Sequence, residues 1–205
     1  MSEGQKPTRP LLWEVEFMKL LASIEDSYVK TMHPDKRQRF LRYHTLLSVG
    51  GYIGPRAKEF LNLRWIDIVN KTEGDLFQFK QGRQREVFFH QHLIRIIDAN
   101  YTKLDPENIQ HLVLHKKDEP NTPIATRQFN SSFKRLLENA NIHTGTPSSH
   151  TLRKTFGMHI YADVYGSTEK GLIMASKMLD HRSVEDTMKY IGLTRDKMKE
   201  TYLKF

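Results

Sequence analysis

His150-Thr151-Leu152-Arg153 sets a proton-transfer group and a permanent cation three positions apart, on one face of any helix that spans them. Pro147-Ser148-Ser149 directly before the pair reads as a helix start. A helix N-terminus favours anions and an arginine can grip two oxygens, so a phosphate could sit there. The spacing alone is common, since His92-Leu93-Ile94-Arg95 repeats it without a cap. Arg56 follows Gly54-Pro55 and has Glu59 three residues on. Such a pair is either a surface contact worth under about 1 kcal/mol or a carboxylate orienting a phosphate-binding arginine. Lys80 opens Lys80-Gln81-Gly82-Arg83-Gln84-Arg85, and a hairpin tip there would project Lys80, Arg83 and Arg85 together. That is a solvated turn or a tongue reaching a polyanion, with one lysine at the reacting bond. Leu179-Asp180-His181 closes a helical stretch, and Tyr190 follows nine residues later in a segment where an aromatic is usually half-buried.

The chain that must position these side chains is mostly helical in its periodicity. Leu12, Val15, Phe17, Met18, Leu20 and Leu21 recur at helical spacing, as do Phe40, Tyr43, Leu46 and Leu47 after a Pro34-Asp35 start. Pro55 suits the first turn of a short helix reaching residue 63, which puts Arg56 at a helix N-terminus. Residues 66–90 change to a period of two (Ile66/Ile68, Leu76 against Phe77 and Phe79, Val87/Phe89), with breaks at Glu73-Gly74-Asp75 and Gln81-Gly82. A small antiparallel sheet is expected there. Residues 93–99 read as helix, 112–114 as an ambiguous apolar segment, and 127–140 as helix after a Pro120/Pro123 loop. The last third reads as helices at 149–164, 168–179, 183–191 and 194–203, interrupted at Gly166 and Gly192. The fold class is therefore α+β, dominated by helix, with one hairpin insert.

With 205 residues, 38% hydrophobic and 27% charged, the chain can bury the core of one domain. The expected organisation is a flexible leading segment, 1–10, and a continuous domain, 11–205. The absence of cysteine removes disulfide frameworks, thiol nucleophiles, iron–sulfur clusters and cysteine-based zinc sites. No secretory signal opens the chain, and the most apolar short run, 46–53, is far below the roughly 20 residues of a membrane span. A cytoplasmic protein is the expectation. The net charge of +8 and pI near 9.6 fit a nucleic-acid partner, or simply a solvated basic surface. Lys36, Arg37, Arg39, Arg42, Arg83, Arg85, Lys134 and Arg135, with Lys116, Lys117 and Arg127, are the candidates for phosphate contacts that position without reading sequence. His111 and His115 read as an ordinary surface pair, and no carboxylate cluster suits two metals, so neither metal nor cofactor is expected.

Order and spacing together give more than any motif alone: the sequence resembles the tyrosine recombinases, or phage-type integrases. That family's Gly-x-Arg-x-x-Glu helix start, hairpin lysine, His-x-x-Arg, Leu-x-His and tyrosine nine residues later stand here as Gly54-Pro55-Arg56-Ala57-Lys58-Glu59, Lys80, His150-Thr151-Leu152-Arg153, Leu179-Asp180-His181 and Tyr190. Ser149 through Phe156 and Lys189-Tyr190-Ile191-Gly192 are similar to it as well. The resemblance covers about residue 11 to the C-terminus. Asp180 departs from the pattern, which usually has glycine before the histidine, and Pro55 stands where an apolar residue is common. Neither removes a reacting group, though Asp180 adds a negative charge beside His181. Family members usually carry a helical DNA-clamping domain before the catalytic one. Its place is expected to be empty here, as in a chain cut to the catalytic domain or a naturally short protein.

The resemblance implies a mostly helical catalytic domain with a small β insert, and a site-specific recombinase that cuts and rejoins double-stranded DNA through a 3′-phosphotyrosine without metal or ATP. It implies Tyr190 as nucleophile, Arg56 and Arg153 as clamps on the non-bridging oxygens, and His150 as proton acceptor. His181 would hydrogen-bond the phosphate, Lys80 would be the acid for the leaving 5′ oxygen, and Glu59 would orient Arg56. A tail whose Met198, Tyr202 and Phe205 form an apolar stripe would pack on its own domain or, as the resemblance implies, dock on a neighbouring protomer, and the expectation is a monomer in solution that assembles as a tetramer on synapsed DNA. Two alternatives stay open: a type IB topoisomerase, marked by supercoil relaxation without strand exchange, and a silent DNA-binding module, marked by loss of a reacting group.

Overall fold

The computed structural model describes residues 8–79, 81–193 and 203. A π-helical turn, Trp13–Phe17, leads into α1 (Met18–Lys30). Pro34 in the first turn opens α2 (Pro34–Ile53), and Gly54, at a left-handed φ of 65°, ends it. A short α3 (Ala57–Leu61) precedes the hairpin of β1 (Glu73–Gln78) and β2 (Arg83–Phe88). Then follow α4 (Gln91–Leu104), a small pair β3 (His115–Lys116) and β4 (Glu119–Pro123), and α5 (Thr126–Asn139). The C-terminal third holds α6 (Ser149–His159), which runs on as a π-helical segment Ile160–Val164, then α7 (Glu169–Met178) and α8 (Val184–Ile191).

The axis of the fold is α2, packed by α1, α4 and α6. From Tyr43 to Gly51 it is buried all round, where its pattern suggested one apolar face. Its polar side chains are satisfied locally: Thr45 donates to Leu41 O at 3.0 Å, Ser48 donates to His44 O at 2.7 Å, and Asn100 pairs with both His44 and Thr45 at 3.0 Å. A Cβ at Gly50 would lie 2.7 Å from Leu152 Cδ1, so the glycine lets α6 close on α2. The main core joins the leading π-helical turn, α1, α2, α4 and α5 through Phe17, Leu20, Leu46, Leu93, Phe129 and Phe133, each such side chain contributing about 1.5–3 kcal/mol by burial. Smaller clusters around Phe156, Ala175 and Leu179, and around Tyr161, Leu172 and Ile191, seat α7 and α8 on the far side of α6.

Several local expectations change. Ile66 and Ile68 do not join a strand; Trp65–Asp67 is a 3-10 turn, closed by the Asp67 carboxylate on Arg64 N at 2.8 Å. Glu73-Gly74-Asp75 is part of β1, paired with Val87 and its neighbours, instead of a break. The Pro120/Pro123 loop is strand β4, a five-residue strand that tolerates proline because only His115 and Lys116 of β3 pair with it, while Pro120 O accepts from Leu112 N at 3.0 Å. The helix expected at 93–99 is longer at both ends, from a His90 cap to Asp105 in the left-handed region. Residues 8–10 are tied down instead of loose: Thr8 Oγ1 lies 2.5 Å from Thr151 Oγ1, Lys154 donates to Thr8 O at 2.8 Å, and Arg9 pairs with Glu16. The tail helix expected at 194–203 lies outside the described residues except for Leu203. No helix among the described residues is long and apolar enough to cross a membrane.

Candidate active site

Two helix C-termini meet at the site, and their leftover carbonyls organise it. The last carbonyls of a helix lack intrahelical donors and carry the negative end of its dipole, so cations are favoured there. Ile53 O and Gly54 O come from the end of α2; Met178 O, Leu179 O and Asp180 O come from the end of α7. Arg153, on α6 and only 3% exposed, bridges the two ends, donating to Gly54 O at 2.5 Å and to Leu179 O. Gly54 is required at the bend, since its φ is positive and a Cβ there would meet Phe156 Cδ1 at 2.4 Å. Burial pushes the Arg153 pKa down to about 10, which leaves it charged at neutral pH.

Arg56 caps α3 with extended backbone, as the glycine–proline start predicts. The buried Glu59 carboxylate accepts from Arg56 N at 2.8 Å and from its guanidinium at 3.1 Å, which fixes the cation's direction. The same guanidinium donates to Asp180 O at 3.4 Å, bringing Arg56 and Arg153 onto one wall of a cleft. Opposite stands Tyr190 of α8, half-buried, with its hydroxyl 3.3 Å from His150 Nδ1. His181 meets the Tyr190 ring edge-on at 5.0 Å and is oriented by Thr187 Oγ1 at 3.0 Å. The cleft has a volume of about 390 Å³ and is also lined by Phe79 and Lys58.

Burial holds these groups in their neutral forms. The Tyr190 pKa is pushed up to about 12 by burial, against the pull of Arg153 and Arg56. Burial, then Arg153 and Arg56, push His181 down to about 4. His150 is lowered by burial and by Arg153 and Lys154. At neutral pH the cleft thus presents a protonated phenol, two neutral imidazoles and two guanidinium ions. That set can bind an oxyanion and take a proton from the phenol.

Five of the six reacting groups picked from sequence, Arg56, His150, Arg153, His181 and Tyr190, converge here, with Glu59 behind Arg56. Lys80 lies outside the described residues. The basic residues divide. Lys36, Arg39 and Arg135 line a cleft of about 270 Å³ between α2 and α5, Arg39 donating to Ser132 at 3.1 Å. Arg37 stacks over Tyr28, and Lys134 pairs with Glu138. Arg42, expected as a phosphate contact, points inward to Val113 O at 3.0 Å and Leu112 O at 3.4 Å. The expected projection of Arg83 and Arg85 from a hairpin tip is also corrected. Arg83 is exposed but pairs with Asp180 at 2.5 Å, while Arg85 turns inward to Met178 O at 2.5 Å. Arg85 and Asp180 both stand out in the sequence, but their roles in tying the hairpin to the end of α7 do not. For Arg85 a signal existed: two positions before buried Val87 and opposite buried Leu76, it falls on the covered face of the hairpin.

A mostly helical domain whose cleft gathers cations and imidazoles around a tyrosine is the catalytic fold of the tyrosine recombinases, seen in the XerH recombinase bound to palindromic difH in a post-cleavage complex (TM-score 0.70, 18% identity, covering 98% of this chain and 54% of that one). The catalytic domain of bacteriophage HP1 integrase shares it (TM-score 0.55, 20% identity, 90% and 88% covered). The model of the phage integrase family matches residues 24–197, and the chain belongs to that family of tyrosine-type site-specific recombinases. It is 28% identical over 193 residues to the probable integrase/recombinase YoeC of Bacillus subtilis, covering 93% of this chain and 97% of that protein. It is 25% identical over 192 residues to the tyrosine recombinase XerH of Campylobacter jejuni, covering 90% of this chain but 48% of that protein, so the chain spans about half of that relative's length.

Proposed function

We propose that this chain cuts and rejoins DNA strands with Tyr190 as nucleophile, through a 3′-phosphotyrosine and without metal or ATP. The observation that carries this reading is the convergence of two guanidinium groups and two neutral imidazoles on the cleft that holds Tyr190, with His150 Nδ1 3.3 Å from its hydroxyl. A phenol with a pKa near 12 cannot attack a phosphodiester until its proton leaves, and His150, neutral and 3.3 Å away, accepts it. The Tyr190 oxygen bonds to phosphorus as the bond to the 5′ oxygen breaks. Arg56 and Arg153 hold the non-bridging oxygens where charge accumulates, and His181 donates to one of them once the phosphate's charge favours its protonation. Lys80 gives its proton to the departing 5′ oxygen. The ester formed keeps the energy of the bond broken, so a 5′ hydroxyl of another strand reverses the step without ATP. Guanidinium ions supply the positive charge that metal-dependent nucleases draw from ions.

The XerH and lambda integrase neighbours are DNA complexes, the latter a dimer, and we read double-stranded DNA as the partner here too. Residues 11–205 act as the catalytic unit in the prokaryotic cytoplasm, monomeric when free and tetrameric on synapsed DNA through the C-terminal tail. The test is incubation with a pool of nicked duplexes of randomised core, which trap a cut strand because the short product diffuses away. A covalent protein–DNA band on a denaturing gel supports the reading; its absence across the pool rejects it. Relaxation of supercoils without exchange would assign the chemistry to a topoisomerase instead.

A further inference from the structure

The link from α7 to α8 carries one acidic side chain that the reaction does not use. Asp180 sits at a φ of 51°, in the left-handed region that aspartate tolerates but glycine adopts freely. Glycine would relieve the backbone, so what aspartate adds is its carboxylate. Asp180 Oδ1 accepts from the Arg83 guanidinium at 2.5 Å, and Oδ2 accepts from the Gln81 amide at 3.2 Å. Both donors stand at the tip of the β1–β2 hairpin. Arg85, lower on the same strand, donates to Met178 O at 2.5 Å. The hairpin is thus tied twice to residues 178–180, the stretch whose carbonyls also hold Arg153 and Arg56.

The two ties differ. Arg85 is largely enclosed and held by main chain, whereas the Arg83 side chain is 62% exposed and is met by a carboxylate alone. A Cβ on Gly82, at the turn, would meet nothing within 4 Å, so no neighbour packs against that turn residue. An exposed pair of this kind shifts an equilibrium by about fivefold at most, too little to decide folding but enough to decide whether a hairpin tip is docked or frayed. Arg83 also offsets the negative charge that Asp180, 3.8 Å from the Arg56 guanidinium, brings to the phosphate site.

We propose that Asp180 is a positioning residue, a latch that docks the tip of the hairpin whose sequence carries Lys80, the donor to the leaving 5′ oxygen in the proposed reaction. This rests on Lys80 as proton donor and adds what aims it. The test uses Asp180→Gly and Asp180→Asn, both compatible with a left-handed backbone. Two quantities are read: amide hydrogen exchange across residues 79–84 in the free protein, and single-turnover cleavage of nicked duplexes with oxygen or sulfur at the 5′ bridging position. Asp180→Gly should speed exchange at the tip and slow cleavage of the ordinary substrate, each by about fivefold, while cleavage of the sulfur substrate stays at the unsubstituted rate, since a thiolate departs without a proton. Asp180→Asn should fall between. Arg83→Ala should reproduce both effects and add nothing to Asp180→Gly, as partners in one contact do. Unchanged exchange at the tip, or equal losses on the two substrates, overturns the latch. If the unsubstituted protein forms no adduct on either substrate, the recombinase reading fails, and exchange at the tip alone decides the latch.

Discussion

The two walls of the cleft are built by different means. Arg153 and Arg56 approach from the closed side, where α2, α6 and α7 pack, and main-chain carbonyls and a buried carboxylate hold them. Tyr190, the hairpin tip and His150, at the exposed start of α6, approach from the open side and meet their partners through side-chain contacts, such as the 3.3 Å approach of hydroxyl and imidazole. The difference follows the work each must do. Charge that stabilises a transition state acts best when fixed in advance, because any reorientation during the step subtracts from the rate. A nucleophile and a proton donor must meet a substrate and part from it, which a looser attachment allows.

Substitutions can break this contrast or sharpen it. The largest effect belongs to Tyr190→Phe, which removes one oxygen and no charge. It should abolish the covalent adduct and leave duplex binding nearly intact, as read by denaturing gel and by binding titration. An adduct from the Phe variant would move the nucleophile elsewhere. Next, Arg56→Ala and Arg153→Ala should each slow single-turnover cleavage by about 10²- to 10³-fold. Only Arg153→Ala should also lower the melting temperature clearly, because it leaves Gly54 O and Leu179 O without a donor, at about 1–3 kcal/mol per buried unsatisfied group. Equal melting losses in the two variants would erase the distinction between the walls.

A pH titration gives a smaller effect. A histidine whose pKa is lower in the folded state takes up protons more readily when unfolded, so its contribution to stability is complete above about pH 6.5 and is lost as pH falls toward 4. The melting temperature should therefore drop across that window, and His181→Asn should flatten the drop without removing it, since buried His44 is lowered too. An unaltered slope would show that His181 titrates normally. Cleavage should fall in the same direction, as His150 becomes protonated and ceases to accept the phenol proton. The smallest effects concern binding. Lys36→Ala and Arg135→Ala, in the cleft between α2 and α5, should each lower the slope of log affinity against log salt by about 1. Arg42→Ala should leave that slope alone and reduce stability instead, as its guanidinium serves carbonyls at residues 112 and 113.

What could be read from sequence was what is local. The Arg56 cap with Glu59, the α6 start before His150, and the breaks at Gly166 and Gly192 depend on neighbours within a few positions, and each stands where its spacing put it. The expected hairpin formed too, with its register pinned by the alternation of Leu76 and Val87. What stayed hidden depends on partners far along the chain. Nothing near Arg42 marks carbonyls seventy residues on, nothing near Arg85 marks the end of α7, and nothing near Thr8 marks Thr151. Charge made Arg42 and Arg85 look like surface residues, because a buried cation whose ligands are main-chain atoms leaves no matching acid in the sequence.

The use of backbone oxygens for Arg153 has a consequence for how such a site can drift. A carbonyl is the same atom whatever side chain stands beside it, so the ligands of this arginine do not change when Leu179 is exchanged for another residue of its size. The tolerance of the site is then governed by chain path: the left-handed bend at Gly54, the close seat of Phe156 upon it, and the length of α7. Divergence can proceed through most of the surrounding residues while those three geometric conditions hold. An inserted or deleted residue near the end of α7, which would rotate Leu179 O away from the guanidinium, should disable the enzyme more surely than many substitutions together.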